Sequence, residues 1–173
     1  GHLHLIETLS KKFDQLLIIP TGNPWLKPEA PIATPKQRLA MCELALEDLS
    51  ESAQEKVSVS DIEVSRDGAT YTFDTLQSLR AFFPRDNFTL IMGSDAAFSF
   101  KKWKRPDDIK KMAEILVVKR PGAQASEFKE MEVSAIDISS TQIREEIEKI
   151  GTSESVPFHV LQYIKANGIY GSK

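Results

Sequence analysis

The chain has 173 residues and a mass of 19.4 kDa, enough to bury a core of its own, and its 41% hydrophobic and 27% charged content suits a globular chain. Its 22 Lys and Arg against 25 Asp and Glu give a net charge of −3 and a pI near 5.7, which argues against a protein that coats nucleic acid but leaves room for a small basic site for one phosphorylated ligand. Apolar runs such as Leu16–Ile19 and Ile115–Val118 are too short to span a membrane, the lone Cys42 excludes an intrachain disulfide or a cysteine-based zinc site, and no leader pattern opens the chain, so a reducing, cytoplasmic compartment is expected.

Strand-like and helix-like stretches alternate. Leu3, Ile6, Leu9 and Phe13 recur at helical spacing and predict an amphipathic helix over 3–13. Leu16–Pro20 reads as a short buried strand, and residues 21–34, with Pro24, Pro28 and Pro31, as an irregular loop. Thr34, Pro35 and Gln37 form a capping box at the start of a helix that runs to about Leu49 and buries Leu39, Cys42, Leu46 and Leu49. Val57–Val64 is the next strand. Phe73, Leu76, Leu79 and Phe83 mark a helix that Pro84 ends. Strand Phe88–Gly93, a helix near Pro106–Ala113 and strand Ile115–Lys119 follow, and Val133–Ile138 is the last expected strand. Ser139 or Ser140 caps a helix with Ile143, Ile147 and Ile150 on one face and Gly151 past its end; Pro157–Asn167 is the closing helix, stopped at Gly168. This order predicts a single α/β domain over 1–173 with a Rossmann-like, open, mostly parallel sheet and helices on both faces. Ligands in such sheets bind beyond the carboxyl ends of strands, so a strand and loop are expected ahead of the first helix, where this sequence has only Gly1 and His2.

Four segments carry chemistry. In Ile138-Ser139-Ser140-Thr141-Gln142-Ile143-Arg144, hydroxyls at a helix start and an arginine one turn in suit phosphate, and equally suit an ordinary capped helix with a surface arginine. Met92-Gly93-Ser94-Asp95 ends a strand with a glycine and an acid that could bond a ribose; a plain strand-to-helix turn explains it as well. Thr70-Tyr71-Thr72-Phe73-Asp74-Thr75 reads from its chemistry as a helix start capped by Thr72 or Asp74. Trp103, amid Lys101, Lys102, Lys104 and Arg105, could stack a flat ring beside phosphate-binding cations, or cover a core edge next to a solvated basic run. Cys42, on the apolar stripe of its helix, reads as a buried thiol, and no metal-ligand cluster, Walker loop or Ser-His-Asp pattern occurs.

Together these segments resemble the bacterial nicotinate-nucleotide adenylyltransferases of the nucleotidylyltransferase superfamily. The resemblance rests on Gly1-His2-Leu3, the run from Ile19 to Lys27, Arg38-Leu39-Ala40-Met41, the run from Thr70 to Leu76, Gly93-Ser94-Asp95-Ala96, Trp103, Lys119-Arg120-Pro121-Gly122 and Ile138 to Arg144, in the family's order from end to end. The family's opening strand, its Gly-Gly-Thr-Phe-Asp-Pro loop and the first histidine of His-x-Gly-His have no counterpart here, so an N-terminally incomplete domain is expected. Pro24-Trp25-Leu26-Lys27 stands where many members have Pro-Pro-His-Lys, and Trp103-Lys104-Arg105 where Trp-His-Arg or Trp-His-Lys is usual.

The resemblance implies adenylyl transfer from ATP to nicotinate mononucleotide, giving deamido-NAD and pyrophosphate, with Mg²⁺ bridging phosphate oxygens and no metal-ligating residue in the chain. It implies catalytic roles for His2, Lys27 and Arg144. It implies ATP contacts from Gly1, His2, Gly93, Asp95, Ile138, Ser140, Thr141 and Arg144, with Asp95 on the ribose and Ile138 beside adenine. It implies nicotinate mononucleotide contacts from Thr70, Tyr71, Thr72, Trp103 and Arg120, with Trp103 stacked on the pyridine. No nucleic-acid or membrane partner is implied, and a homo-oligomer is allowed. Adenylylation of another phosphate, such as phosphopantetheine, and a non-catalytic nucleotide-binding module are the alternatives; the Thr70–Thr75 and Trp103 segments favour the pyridine branch.

Overall fold

A computed structural model describes residues 1–24, 32–119, 122–133 and 139–171. In chain order these form α1 (His2–Ser10), β1 (Leu16–Ile18), α2 (Pro35–Leu46), α3 (Glu51–Gln54), β2 (Val57–Val59), α4 (Thr72–Phe82), β3 (Thr89–Gly93), α5 (Ser94–Ser99), α6 (Pro106–Met112), β4 (Glu114–Lys119), β5 (Lys129–Glu132), α7 (Ser140–Ile150) and α8 (Phe158–Ala166), with 3₁₀ turns at Phe100–Lys102 and Ile169–Gly171. The strand pairs β1–β2, β3–β4 and β4–β5 are parallel; helices join the strands of the first two pairs, as parallel pairing commonly demands. No helix among them is long and apolar enough to cross a membrane.

The chain divides into two compact units. Gly1–Arg66 and Ile136–Lys173 make the first. There β1 pairs with β2, Leu16 opposite Val57. Both strands are shorter than expected: Ile18 makes its last bond to the Ser60 N–H, and the chain then turns through Ser65 N–H to the Asp61 carbonyl. Helix α1 also stops short of Phe13, because the N–H groups of both Lys12 and Phe13 converge on the Leu9 carbonyl. Helix α2 starts where the sequence predicts, on a Thr34–Gln37 capping box. Its Leu39, Cys42 and Leu46 are only half-buried, whereas Leu49, beyond the helix, is buried. Four-residue α3 was not expected from the sequence; the Glu7 carboxylate holds its start, accepting from Ser50 N–H at 2.6 Å and Ser50 Oγ at 3.0 Å. Ala33, Ile147, Val160, Ile164 and Ile169 form one core of this unit. Ile147 is the buried anchor of α7, Ile143 packs half-buried against the same core, and Ile150, expected on that face, is 70% exposed.

Asp67–Ala135 make the second unit. Its sheet runs β3-β4-β5, with Leu90 opposite Ile115 and Leu116 opposite Lys129. Strand β5 was not expected, because its residues are Lys-Glu-Met-Glu, whose charge hides an edge strand from any hydrophobic pattern; of the strand expected over 133–138, all but Val133 lies outside the described residues. The core gathers Phe73 and Leu76 of α4, Met92 of β3, Ala97 of α5, Ile109 of α6 and Val117 of β4 around Phe100.

Candidate functional site

In the first unit, the segment singled out for phosphate folds as its residues dictate. Ser139 is the cap and Ser140 the first helical residue: Ser139 Oγ accepts from Gln142 N–H, and Gln142 Oε1 accepts from Ser139 N–H, each at 3.1 Å. One turn in, Arg144 is half-buried and donates through Nη2 to Thr141 Oγ1 at 3.2 Å. That bond occupies a lone pair of the hydroxyl and leaves its proton to donate outward. Thr141 and Arg144 share a cleft of about 290 Å³ with Ile32, Glu145, Glu148, Tyr170 and Gly171. The lining holds one cation, Arg144, and two carboxylates, Glu145 and Glu148. Gly151, in the left-handed conformation (φ 70°), ends the helix as expected. Ser139→Ala is expected to cost about 1 kcal/mol of stability, read as a fall of roughly 2–4 °C in Tm.

Gly1 caps α1, its carbonyl accepting from Leu5 N–H at 3.1 Å, and His2 is the first helical residue, exposed at the positive end of the helix.

In the second unit the start of α4 differs from the expected one. Neither Thr72 nor Asp74 caps it; Tyr71 does, with extended backbone (φ −123°, ψ 136°) and no side-chain bond. Asp74 is committed elsewhere, accepting from Lys104 Nζ at 2.9 and 3.0 Å, while Lys104 lies 4.7 Å over the Tyr71 ring. The first turn of α4 therefore presents the backbone N–H groups of Thr72 and Phe73, which the helix itself does not use. Thr70, just before them, is buried.

Trp103 is half-buried and tilted at 45° on Phe100, ring centres 5.3 Å apart. Its Nε1 is buried with no hydrogen-bond partner. The neighbouring cations are engaged within the unit: Arg105 donates to Asp108 at 2.8 Å with its guanidinium 4.1 Å over Phe73, and Lys104 holds Asp74. Lys104 and Arg105 thus tie down the chain immediately after Trp103.

Gly93 caps α5 with φ −78°, and a Cβ there would meet nothing within 4 Å, so no close approach of the protein itself explains the glycine. Asp95 stands exposed in the first turn. Lys27, Arg120 and Ile138 lie outside the described residues. Cys42 is half-buried, and burial pushes its thiol pKa up, as expected of a structural cysteine. No three His, Cys, Asp or Glu side chains group to hold a metal among the described residues. Sequence reasoning missed Tyr170 as a wall of the Arg144 cleft. It reaches that place through a left-handed backbone (φ 59°), and the nearby glycines 168 and 171 were the available signal of a turn.

The family model described as cytidylyltransferase-like matches residues 1–146. A relative from Neisseria meningitidis serogroup B, named probable nicotinate-nucleotide adenylyltransferase, is 32% identical over 189 residues, covering 98% of this chain and 91% of its own. One of the same name from Paenarthrobacter aurescens is 32% identical over 183 residues, covering 99% and 85%. Among solved structures, the Plasmodium falciparum nicotinic acid mononucleotide adenylyltransferase complexed with NaAD superposes with a TM-score of 0.83 at 16% identity, over 99% of this chain and 91% of that one. At that identity the likeness establishes a shared Rossmann-like nucleotidylyltransferase fold.

Proposed function

We propose how individual residues divide the work on the premise that the chain belongs to the cytidylyltransferase-like family and, within it, to the nicotinate-nucleotide adenylyltransferases. The reaction is adenylyl transfer from ATP to nicotinate mononucleotide in NAD biosynthesis, the activity named for the relatives that match nearly the whole chain. One observation carries the residue assignments: the Ser139–Gln142 capping box presents Thr141 and Arg144 together, one turn into a helix, on the edge of a cleft.

The 5′-phosphate of the mononucleotide attacks the α-phosphorus of ATP, forming the new phosphoanhydride bond as the α–β bond breaks and pyrophosphate leaves. That phosphate is already anionic at neutral pH, so no general base is needed, and catalysis reduces to positioning and neutralisation of charge. Arg144 supplies a permanently charged, planar fork for the β- and γ-phosphates, and Thr141 and Ser140 supply hydroxyl donors. His2 and the backbone at Gly1 add contacts at the positive end of α1. Lys27 adds a second cation to the phosphates; Asp95 and Gly93 take the ribose, and Ile138 flanks adenine. Enzymes of this class use a divalent cation. We take it to be Mg²⁺ that arrives with ATP as part of the substrate, since the described residues offer no cage of acidic ligands.

Trp103 supplies a flat face for the pyridine, Arg120 adds a contact to the mononucleotide, and the helix start at Thr70, Tyr71 and Thr72 takes the carboxylate. Backbone N–H donors can satisfy two carboxylate oxygens but leave the NH₂ of an amide facing another donor, a mismatch of roughly 1–3 kcal/mol per stranded group. Stacking favours both rings alike. The test is kcat/KM with ATP and either nicotinate or nicotinamide mononucleotide, with phosphopantetheine as the outgroup substrate. Deamido-NAD is expected as the preferred product. Trp103→Ala should raise KM for both mononucleotides by similar factors and preserve the acid-over-amide ratio. Preference of the wild type for the amide or for phosphopantetheine would overturn the substrate assignment.

A further inference from the structure

Trp103 leaves a 3₁₀ turn, its N–H bonded to the Phe100 carbonyl at 3.0 Å, and continues in extended backbone (φ −73°, ψ 159°). Its indole N–H finds no partner among the described residues, so no hydrogen bond of its own fixes the ring on Phe100. Two residues on, Arg105 has left-handed backbone (φ 53°, ψ 56°) directly before Pro106. That conformation is unfavourable for a residue with a Cβ, and a following proline narrows the choice further. It persists where surrounding contacts over-determine it. Those contacts are present. Arg105 bonds Asp108 at 2.8 Å and lies 4.1 Å over the Phe73 ring, and Lys104 bonds both carboxylate oxygens of Asp74 while lying 4.7 Å over the Tyr71 ring. Tyr71 caps α4, and Phe73 and Asp74 lie in its first turn, so both residues after Trp103 are fastened to one turn of helix. The fold gains little from the ion pair itself, because Lys104 and Asp74 are 41% and 30% exposed and surface pairs of this kind contribute little to stability. What the pair supplies is spacing: it joins the chain behind the ring that stacks the pyridine to the helix start that takes the carboxylate.

We infer that Lys104 is a positioning residue for the mononucleotide, and that its pairing with Asp74 sets the distance between the Trp103 ring and the backbone donors at Thr72. The inference rests on the placement of the mononucleotide at Trp103 and at Thr70 to Thr72 proposed above. Neither charge has to touch the substrate. Stacking tolerates one ring sliding over another, whereas a pair of hydrogen bonds to a carboxylate tolerates little displacement. A broken latch therefore weakens the acid substrate more than the amide, unlike Trp103→Ala, which leaves their ratio unchanged.

Two readouts test it, one without ligand. Trp25→Phe leaves Trp103 as the sole tryptophan, and in that background Lys104→Met should raise the acrylamide quenching constant and red-shift the emission. In the same variant KM for nicotinate mononucleotide should rise roughly 10-fold, KM for ATP should hold, and the acid-over-amide ratio of kcat/KM should fall several-fold. Lys104→Arg keeps a charge-assisted bond to Asp74 and should restore both readouts. Asp74→Ala breaks the pair from the other side and should match Lys104→Met, with the double variant adding little to either; if Lys104→Met does not fold, Asp74→Ala carries both readouts. Unchanged quenching in Lys104→Met overturns the latch. Looser packing of Trp103 with an unchanged KM for nicotinate mononucleotide overturns the positioning role. A rise of the acid-over-amide ratio in Asp74→Ala would mean that the pair acts through charge alone, and fully additive losses in the double variant that the two residues act apart; either overturns the spacing argument. An unchanged KM in Trp103→Ala would instead overturn the assignment of the mononucleotide to that ring, and the positioning role with it, while the quenching result stands.

Discussion

Arg144→Ala is expected to lower kcat/KM for ATP by about 10²–10³, the usual cost of removing one donor from a charge-stabilising site. The variant should fold normally, because Ile147, buried at 1% exposure, anchors α7 and the Ser139–Gln142 box starts it. Arg144 donates a hydrogen bond to Thr141 on the cleft edge, and an exposed bond of that kind adds little to folding. Arg144→Lys should recover part of the rate, since charge returns and the planar fork does not. Steady-state kinetics on protein with wild-type circular dichroism is the measurement, and unchanged kcat/KM in Arg144→Ala would remove the residue from the phosphate site.

Phe100→Ala should produce the largest loss of stability, about 3–5 kcal/mol. Phe100 is 1% exposed at the centre of the second unit's core, edge-on to Phe128 at 5.1 Å and beneath Trp103 at 5.3 Å. Removing it leaves a cavity that two aromatic neighbours cannot fill without leaving their own contacts. The loss reaches the site as well. Without its support Trp103 is no longer held at one tilt, so KM for the mononucleotide should rise in the protein that remains folded. Chemical denaturation gives the first quantity, and kinetics below the transition gives the second. A Phe100→Leu variant that restores most of the stability but not the KM would separate filling of the core from orientation of the tryptophan.

The parts of the fold written in local chemistry could be read from the sequence. Thr34 with Gln37 and Ser139 with Gln142 each satisfy their own helix start, Pro84 follows the end of α4, and Gly151 supplies the left-handed stop of α7. Features set by distant partners could not. Strand β5 exists because its backbone meets β4, although Lys129, Glu130 and Glu132 carry no strand pattern. Helix α3 begins where it does because a carboxylate from α1, Glu7, reaches Ser50. The start of α4 moved to Tyr71 because Lys104 draws Asp74 away from capping. At the site, Ser139, Thr141 and Arg144 were legible for the same local reason. Tyr170 depends on residues far along the chain, brought to the cleft by backbone geometry that no spacing announces.

The helix starts of the first unit also show stability left unclaimed. Neither α1 nor α7 carries an acidic residue in its first turn, and the box of α7 is closed by an amide, Gln142, where glutamate would complement the dipole better. A carboxylate there would be the easy route to a sturdier helix, and it would stand as a fixed rival to any anion approaching Arg144. Other helices do take acids in their first turns, Glu51 in α3, Asp74 in α4, Asp95 in α5 and Asp107 and Asp108 in α6, and at α4 Lys104 pairs with Asp74. On the phosphate contacts proposed for His2 and Arg144, a thermostabilised variant of this chain should take its gains from other parts of the surface, because at these two helix ends a stabilising charge and a bound phosphate would compete for the same field.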